Sequence, residues 1–209
     1  MALDSGEHTG AFGQLFLEIR RCKEARTCRS LAIRPYYFEP NPETAREWRA
    51  QGSFLCEIDR RGVFVCESPG PSGSRTKPTI AKRCWAESPR DKRFQEARAK
   101  YGFQDCYITN TVKCGVRRGM RHTDAELNAC IGFLVRELDL IQPVVAVGVG
   151  GNAFHTLRTW VLPRLTMPPV LFQITHYSSR RNPWDPWQRE FPELRRLLER
   201  LKPRLEWGS

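Results

Sequence analysis

No stretch of this 209-residue chain is apolar for long enough to span a bilayer, so a protein anchored by transmembrane helices is not expected. The opening Met-Ala-Leu-Asp-Ser-Gly-Glu has neither a basic n-region nor an apolar h-region, so a secretory leader is not expected either and the reading is cytoplasmic. Eight cysteines are present, but thiols stay reduced in the cytosol, which argues against a disulfide framework. Acidic residues are the scarce charge: 23 Asp and Glu face 34 Lys and Arg, a net charge of +11. That imbalance favours an anionic partner, of which nucleic acid is the commonest. No internal repeat is visible. The length suits one domain over residues 1–209, with 1–10 as a loose, flexible tail.

The chain is organised around Tyr107-Ile-Thr-Asn-Thr-Val-Lys-Cys114. Its β-branched and aromatic start reads as a buried strand that delivers Asn110, Lys113 and Cys114 at its C-terminal end. Thr123-Asp-Ala-Glu126 is an N-cap box for the next helix, whose apolar stripe is Leu127, Ile131, Leu134 and Leu138. Further strands are expected at 62–66, 143–148 and 170–175. Helices are expected at 12–19, 43–51 (carrying Trp48), 91–101, 152–160 and 191–201. Strands mostly separated by helices indicate a three-layer α/β/α sandwich around a short, mainly parallel four-stranded sheet. The loops at 66–78, 110–122 and 176–183 then meet at one edge, where open α/β sheets bind ligands.

Several motifs fall on those loops. Cys66-Glu-Ser-Pro-Gly70 puts a carboxylate and a hydroxyl on a tight turn whose backbone N–H groups can approach a phosphate or a base, though an ordinary surface turn has the same composition. Gly148-Val-Gly-Gly-Asn-Ala153 fits a dinucleotide pattern. The next strand, however, ends in Gln173-Ile-Thr-His176 without the ribose-binding acid, so these glycines read as a close helix–sheet contact. A nucleotide-cofactor enzyme at 148–153 remains the weaker reading, to be tested by titrating NAD. His176 follows a buried strand directly and precedes Ser178, Ser179, Arg180 and Arg181, a basic, hydroxyl-rich run suited to phosphates. His155 reads as a packed or surface residue, His8 as part of the tail, and His122 as a phosphate neighbour of Arg117, Arg118 and Arg121. Cys22 and Cys28 flank one basic loop and Cys114 and Cys130 another. Four thiolates from two loops suit a [4Fe–4S] cluster or structural zinc, although neither pair has C-x-x-C spacing.

Taken together, residues 12–183 resemble the uracil-DNA glycosylase superfamily, nearest its iron–sulfur, family 4-like branch. Cys66-Glu-Ser-Pro-Gly70 resembles that branch's Gly-Glu-Ala-Pro-Gly motif. Tyr107 to Cys114, then fifteen residues, then Cys130, is similar to its Thr-Asn…Lys-Cys…Cys segment in residue type and spacing. Thr175-His-Tyr-Ser-Ser179 resembles its His-Pro-Ser loop, with Tyr177 where the branch has proline. The resemblance implies a monomeric, monofunctional DNA glycosylase that flips uracil or a related deaminated base from lesion-containing single- or double-stranded DNA and hydrolyses the N-glycosidic bond. It implies Glu67, Ser68 and His176 as the catalytic set and Asn110, Pro69, Gly70 and Trp85 around the base. Lys113, Arg117, Arg118, Ser178, Ser179, Arg180 and Arg181 would contact DNA. Cys22, Cys28, Cys114 and Cys130 would ligate the cluster. Ser68 stands where the best-known family has a water-activating Asp, which implies slower, electrostatics-led catalysis.

The chain also departs from the branch. Cys22 and Cys28 have five residues between them, and Cys66 replaces a glycine. Lys77-Pro-Thr79 stands near the Arg-Pro-Phe segment, so the stacking Phe is absent, with Trp85 or Ile80 as its substitute. Gly119-Met120 stands near the branch's Asn-Arg pair. These departures leave hypoxanthine or xanthine open as substrates, and a non-catalytic iron–sulfur DNA-binding protein with the same fold as the alternative.

Overall fold

The computed structural model describes residues 11–20, 22, 59–67, 89–113, 124–177 and 183–205. The expected helix at 43–51 with Trp48 lies outside them. Four strands form one sheet: β1 (Asp59–Cys66), β2 (Cys106–Asn110), β3 (Val145–Val149) and β4 (Val170–Ile174). Their order is β2-β1-β3-β4, and every adjacent pair is parallel. β2 and β3 are buried throughout, as strands covered on both faces must be.

The covering helices are α1 (Ala11–Arg20), α2 (Pro89–Lys100), α3 (Asp124–Ile141), α4 (Gly151–Thr156) and α5 (Trp184–Leu205). Side chains alternate between the two faces of the sheet, and the core divides accordingly. Val63, Val65, Tyr107 and Ala146 pack with Leu15 and Ile19 of α1 and with Ile131, Leu134 and Leu138 of α3. Phe64, Cys66, Ile108, Val147 and Val149 pack with Phe94 of α2 and with Trp187, Phe191, Leu194 and Leu198 of α5. That is the three-layer α/β/α sandwich the pattern implied.

The connections decide where a ligand can sit. β1 passes to β2 through α2 on one face, while β3 passes to β4 through α4 on the other. Right-handed crossovers running in opposite directions along a sheet require opposite faces. The order therefore reverses between β1 and β3, and the crevice at such a switch point opens beyond the strands' C-terminal ends.

Three elements differ from expectation. β1 starts at Asp59, and the irregular register between Asp59 and Val63 absorbs the polar Arg60 and Arg61 before the apolar run. α4 gives way to a π-turn at Leu157–Val161 and a 3-10 turn at Leu162–Arg164. α5 begins seven residues earlier than the periodicity at 191–201 suggests. Pro186 falls in its first turn, where a missing N–H removes no helical bond, and Pro192 sits inside it where such a bond is lost. Burial of Trp187, Phe191, Leu194 and Leu198 on one stripe offsets that loss.

Candidate active site

The register lines up the strand tips. Cys66 lies beside Asn110 on one side. On the other, Val65 pairs with Gly148 and Val149 pairs with Ile174. Glu67, Asn110, Gly150 and His176 therefore all stand at one edge of the sheet. Three interstrand steps of about 4.8 Å set the β2 and β4 tips roughly 14 Å apart.

Each residue is held by bonds its own segment makes. Asn110 ends β2 and is 4% exposed. Glu67 follows β1, and its carbonyl accepts from the Val112 N–H at 3.0 Å and from Thr111 Oγ1 at 2.6 Å. The Thr111 N–H also donates to the Cys66 carbonyl at 2.7 Å. The carboxylate-bearing turn is thus tied to the two residues after Asn110. At the other end, Gly150 holds φ +91°, a conformation that favours glycine. Its N–H donates to the Ile174 carbonyl at 2.8 Å, and a Cβ there would meet the His176 Cβ at 2.9 Å. Gly148 makes the expected close helix–sheet contact: a Cβ would lie 2.6 Å from Phe154 Cα. His155 is exposed.

Lys113 requires a correction. Expected at a phosphate, it is 2% exposed and faces inward. Its ammonium donates to Glu137 Oε2 and, at 2.6 Å, to Thr109 Oγ1. Glu137, itself 1% exposed, also accepts from Thr109 Oγ1 at 2.9 Å and more distantly from Tyr107 Oη at 3.4 Å. A buried ammonium with those partners is spent on an internal ion pair.

Of the four expected ligand thiols, Cys22 and Cys130 are described, and neither is in a disulfide. Cys130 is buried in α3, and its sulfur accepts the Lys113 N–H at 3.4 Å. Cys22 follows α1, its N–H bonded to the Ile19 carbonyl, and α1 packs along α3 through Leu15 and Ile19. A buried sulfur that accepts a backbone N–H suits a thiolate ligand, and Cys130 meets that description; Cys22 is half-buried. Among the described residues, no three candidate ligands group together. Cys28, Cys114, Ser68, Pro69, Gly70, Trp85, Arg117, Arg118, Ser178, Ser179, Arg180 and Arg181 lie outside the described residues.

Sequence reasoning took Gly150 only as part of a helix–sheet contact, not as a neighbour of His176, and passed over Glu137. A Gly-Gly pair straight after a buried strand signals the first. A carboxylate on the buried stripe of a helix, three residues after Leu134, signals the second.

A parallel α/β sandwich that brings polar residues and Gly150 to one edge of its sheet has the architecture in which ligands bind at the switch point. Comparison with known families goes further. The family description "Uracil DNA glycosylase superfamily" matches residues 53–202, and the chain belongs to that superfamily. A curated relative, the type-4 uracil-DNA glycosylase of Thermotoga maritima, is 32% identical over 99 residues. That match covers 46% of this chain and 48% of the relative, so it spans about half the relative's length. It places the chain near the family 4 branch. No helix among the described residues is long and apolar enough to cross a membrane.

Proposed function

We propose that the chain is a monofunctional DNA glycosylase that excises uracil or a related deaminated base by base flipping and hydrolysis. The observation that supports this is the strand order and register, which bring the C-terminal ends of β2 and β4 to one edge of the sheet with that of β1 between them, beside the crevice expected at the switch point. Flipping delivers the base into that crevice. The Asn110 amide offers one donor and one acceptor to the base edge, a pattern that pairs with uracil and rejects cytosine. As the glycosidic bond lengthens, negative charge grows on the base and positive charge on the sugar. His176 donates toward the base O2, where that charge develops. Glu67 faces the sugar and stabilises the cation or orients water. Ser68 is no strong base, so stabilisation of charge rather than water activation sets the rate.

Arg117, Arg118, Arg180 and Arg181 would hold phosphates beside the lesion, with Ser178 and Ser179. Lys113 is withdrawn from this set. Cys22, Cys28, Cys114 and Cys130 would hold a [4Fe–4S] cluster, or zinc. The bound group would supply four metal–thiolate bonds that brace α1 against α3 and the end of β2. The protein would act as a monomer.

One panel of oligonucleotides tests the reading: uracil, hypoxanthine and xanthine, each in single and double strands. Asn110→Ala and His176→Ala are each expected to lower cleavage of the preferred lesion about tenfold or more. Wild-type rates in both variants would refute these roles. Tight binding without cleavage of any lesion would instead support a non-catalytic DNA-binding protein.

A further inference from the structure

His176 is fixed from two sides by residues with no contact of their own to make with a base. The first side is its backbone. The Thr175 N–H donates to Glu190 Oε2 at 2.8 Å, and Thr175 Oγ1 donates to Glu190 Oε1 at 2.8 Å. The Thr175 carbonyl accepts from Trp187 Nε1 at 2.9 Å. Three bonds from α5 therefore settle the residue that precedes His176, and Trp187 is fully buried, so this anchor is rigid. The second side is its ring. Tyr177 stacks on the imidazole with centroids 4.3 Å apart and planes 25° apart. It also stacks on the buried Phe94 of α2 at 5.4 Å and 29°.

In the resembled His-Pro-Ser loop a proline follows the histidine, and proline holds its own φ near −65°. Tyr177 has no such lock. Stacking on the buried Phe94 ties the Tyr177 ring to the core instead. We propose that Glu190 and Tyr177 are positioning residues for the His176 imidazole: Glu190 sets where its backbone starts, and Tyr177 sets the plane of its ring. The inference rests on the role proposed for His176 at the base. Displacement of a reacting group by about 1 Å can cost on the order of a hundredfold in rate, so the clamp acts on kcat more than on substrate binding.

The test pairs single-turnover cleavage of the preferred lesion with NMR of the full chain carrying isotope-labelled histidine. Only four histidines are present, and His176→Ala identifies the signal of interest. Stacking moves the His176 ring protons upfield in the wild type. Tyr177→Phe keeps that shift; Tyr177→Ala loses it and lowers kcat tenfold to a hundredfold with KM unchanged, an order set by such displacements. Glu190→Ala broadens the His176 signal and lowers kcat similarly. Glu190→Gln, which keeps one acceptor, falls between. Glu193→Ala, an exposed position of α5, changes neither. Should Glu190→Ala not fold, Glu190→Gln and Tyr177→Ala carry the test.

Wild-type kcat in Tyr177→Ala and Glu190→Gln overturns the proposal, whether or not the ring signals move. A fall in kcat with unmoved ring signals overturns it too. If the wild type cleaves no lesion while the ring signals respond as expected, the glycosylase reading fails and the clamp stands.

Discussion

Replacing Lys113 by Met separates two views of that lysine. A phosphate contact would leave stability untouched and reduce the salt slope of DNA binding by about one. The structure demands the reverse. Lys113 and Glu137 have side chains 3% and 1% exposed, so removing the ammonium strands a carboxylate with only Thr109 Oγ1 and a distant Tyr107 hydroxyl. Breaking one side of such a buried pair costs about 3–5 kcal/mol. In a chain of this length each kcal/mol lowers Tm by about 2–4 °C, so Lys113→Met should melt roughly 10 °C below the wild type. Glu137→Leu, which strands the ammonium instead, should fall by a similar amount. The double variant Lys113→Met, Glu137→Leu removes both charges and should recover most of the loss, because an apolar pair of like volume is often as stable as a buried ion pair. The assay is urea and thermal unfolding of the four proteins as a double-mutant cycle. A Lys113→Met protein within about 1 kcal/mol of wild type, or a double variant less stable than either single one, would refute the reasoning.

Four other outcomes are expected. Gly148→Ala should cost about 1–3 kcal/mol, since its Cβ would strike the Phe154 backbone at 2.6 Å. Gly132→Ala at an exposed position of α3, where a Cβ meets nothing within 4 Å, should gain up to about 1 kcal/mol; parallel denaturant titrations check both. Burial raises the Asp59 pKa, but hydrogen bonds from the Arg61 side chain and N–H outweigh it and leave the carboxyl below its usual value. A depressed folded pKa gives stability that is present above the unfolded value of about 3.9 and is lost as pH falls through the folded one. Asp59→Asn should therefore flatten the acid limb of Tm against pH below about 4, and an unchanged limb would count against the pair. Finally, Cys130→Ser should abolish any visible absorbance and bound iron of the purified protein, while Cys66→Ala keeps both.

Legibility in the sequence followed the physical range of the signal. Val63–Cys66, Tyr107–Asn110 and Val145–Val149 are short β-branched runs, and such runs announce buried strands without outside help. The α3 stripe was equally plain, because period 3.6 is a local property. The start of α5 was hidden by Pro183, Pro186 and Pro192, which read as loop until Trp187 and Phe191 are known to be buried against Phe94. Lys113 misled because a lysine beside Arg117 and Arg118 looks solvated. Its partner lies 24 residues on, and no local pattern joins them. The crevice itself was partly legible, since motifs at strand ends converge in any parallel sheet. The order β2-β1-β3-β4, which says which tips face one another, is a tertiary fact.

Parity along one strand explains why so much converges on residues 107–113. Tyr107 and Thr109 point to the α3 side, where both bond to Glu137. Ile108 points to the α2 and α5 side, and alternation puts Asn110 on that same face. That is also the face where His176 stacks on Tyr177 and Tyr177 on Phe94. Beyond the strand, Thr111 and Val112 bind the Glu67 carbonyl, and Lys113 returns to Glu137 while its N–H meets Cys130. A slip of one residue in the β1–β2 register would turn Asn110 toward α3 and Thr109 toward the opposite face, removing the proposed base contact and the ion pair's third member together. Lys113–Glu137 is therefore placed to oppose that slip, because the pair forms only when Thr109 faces α3.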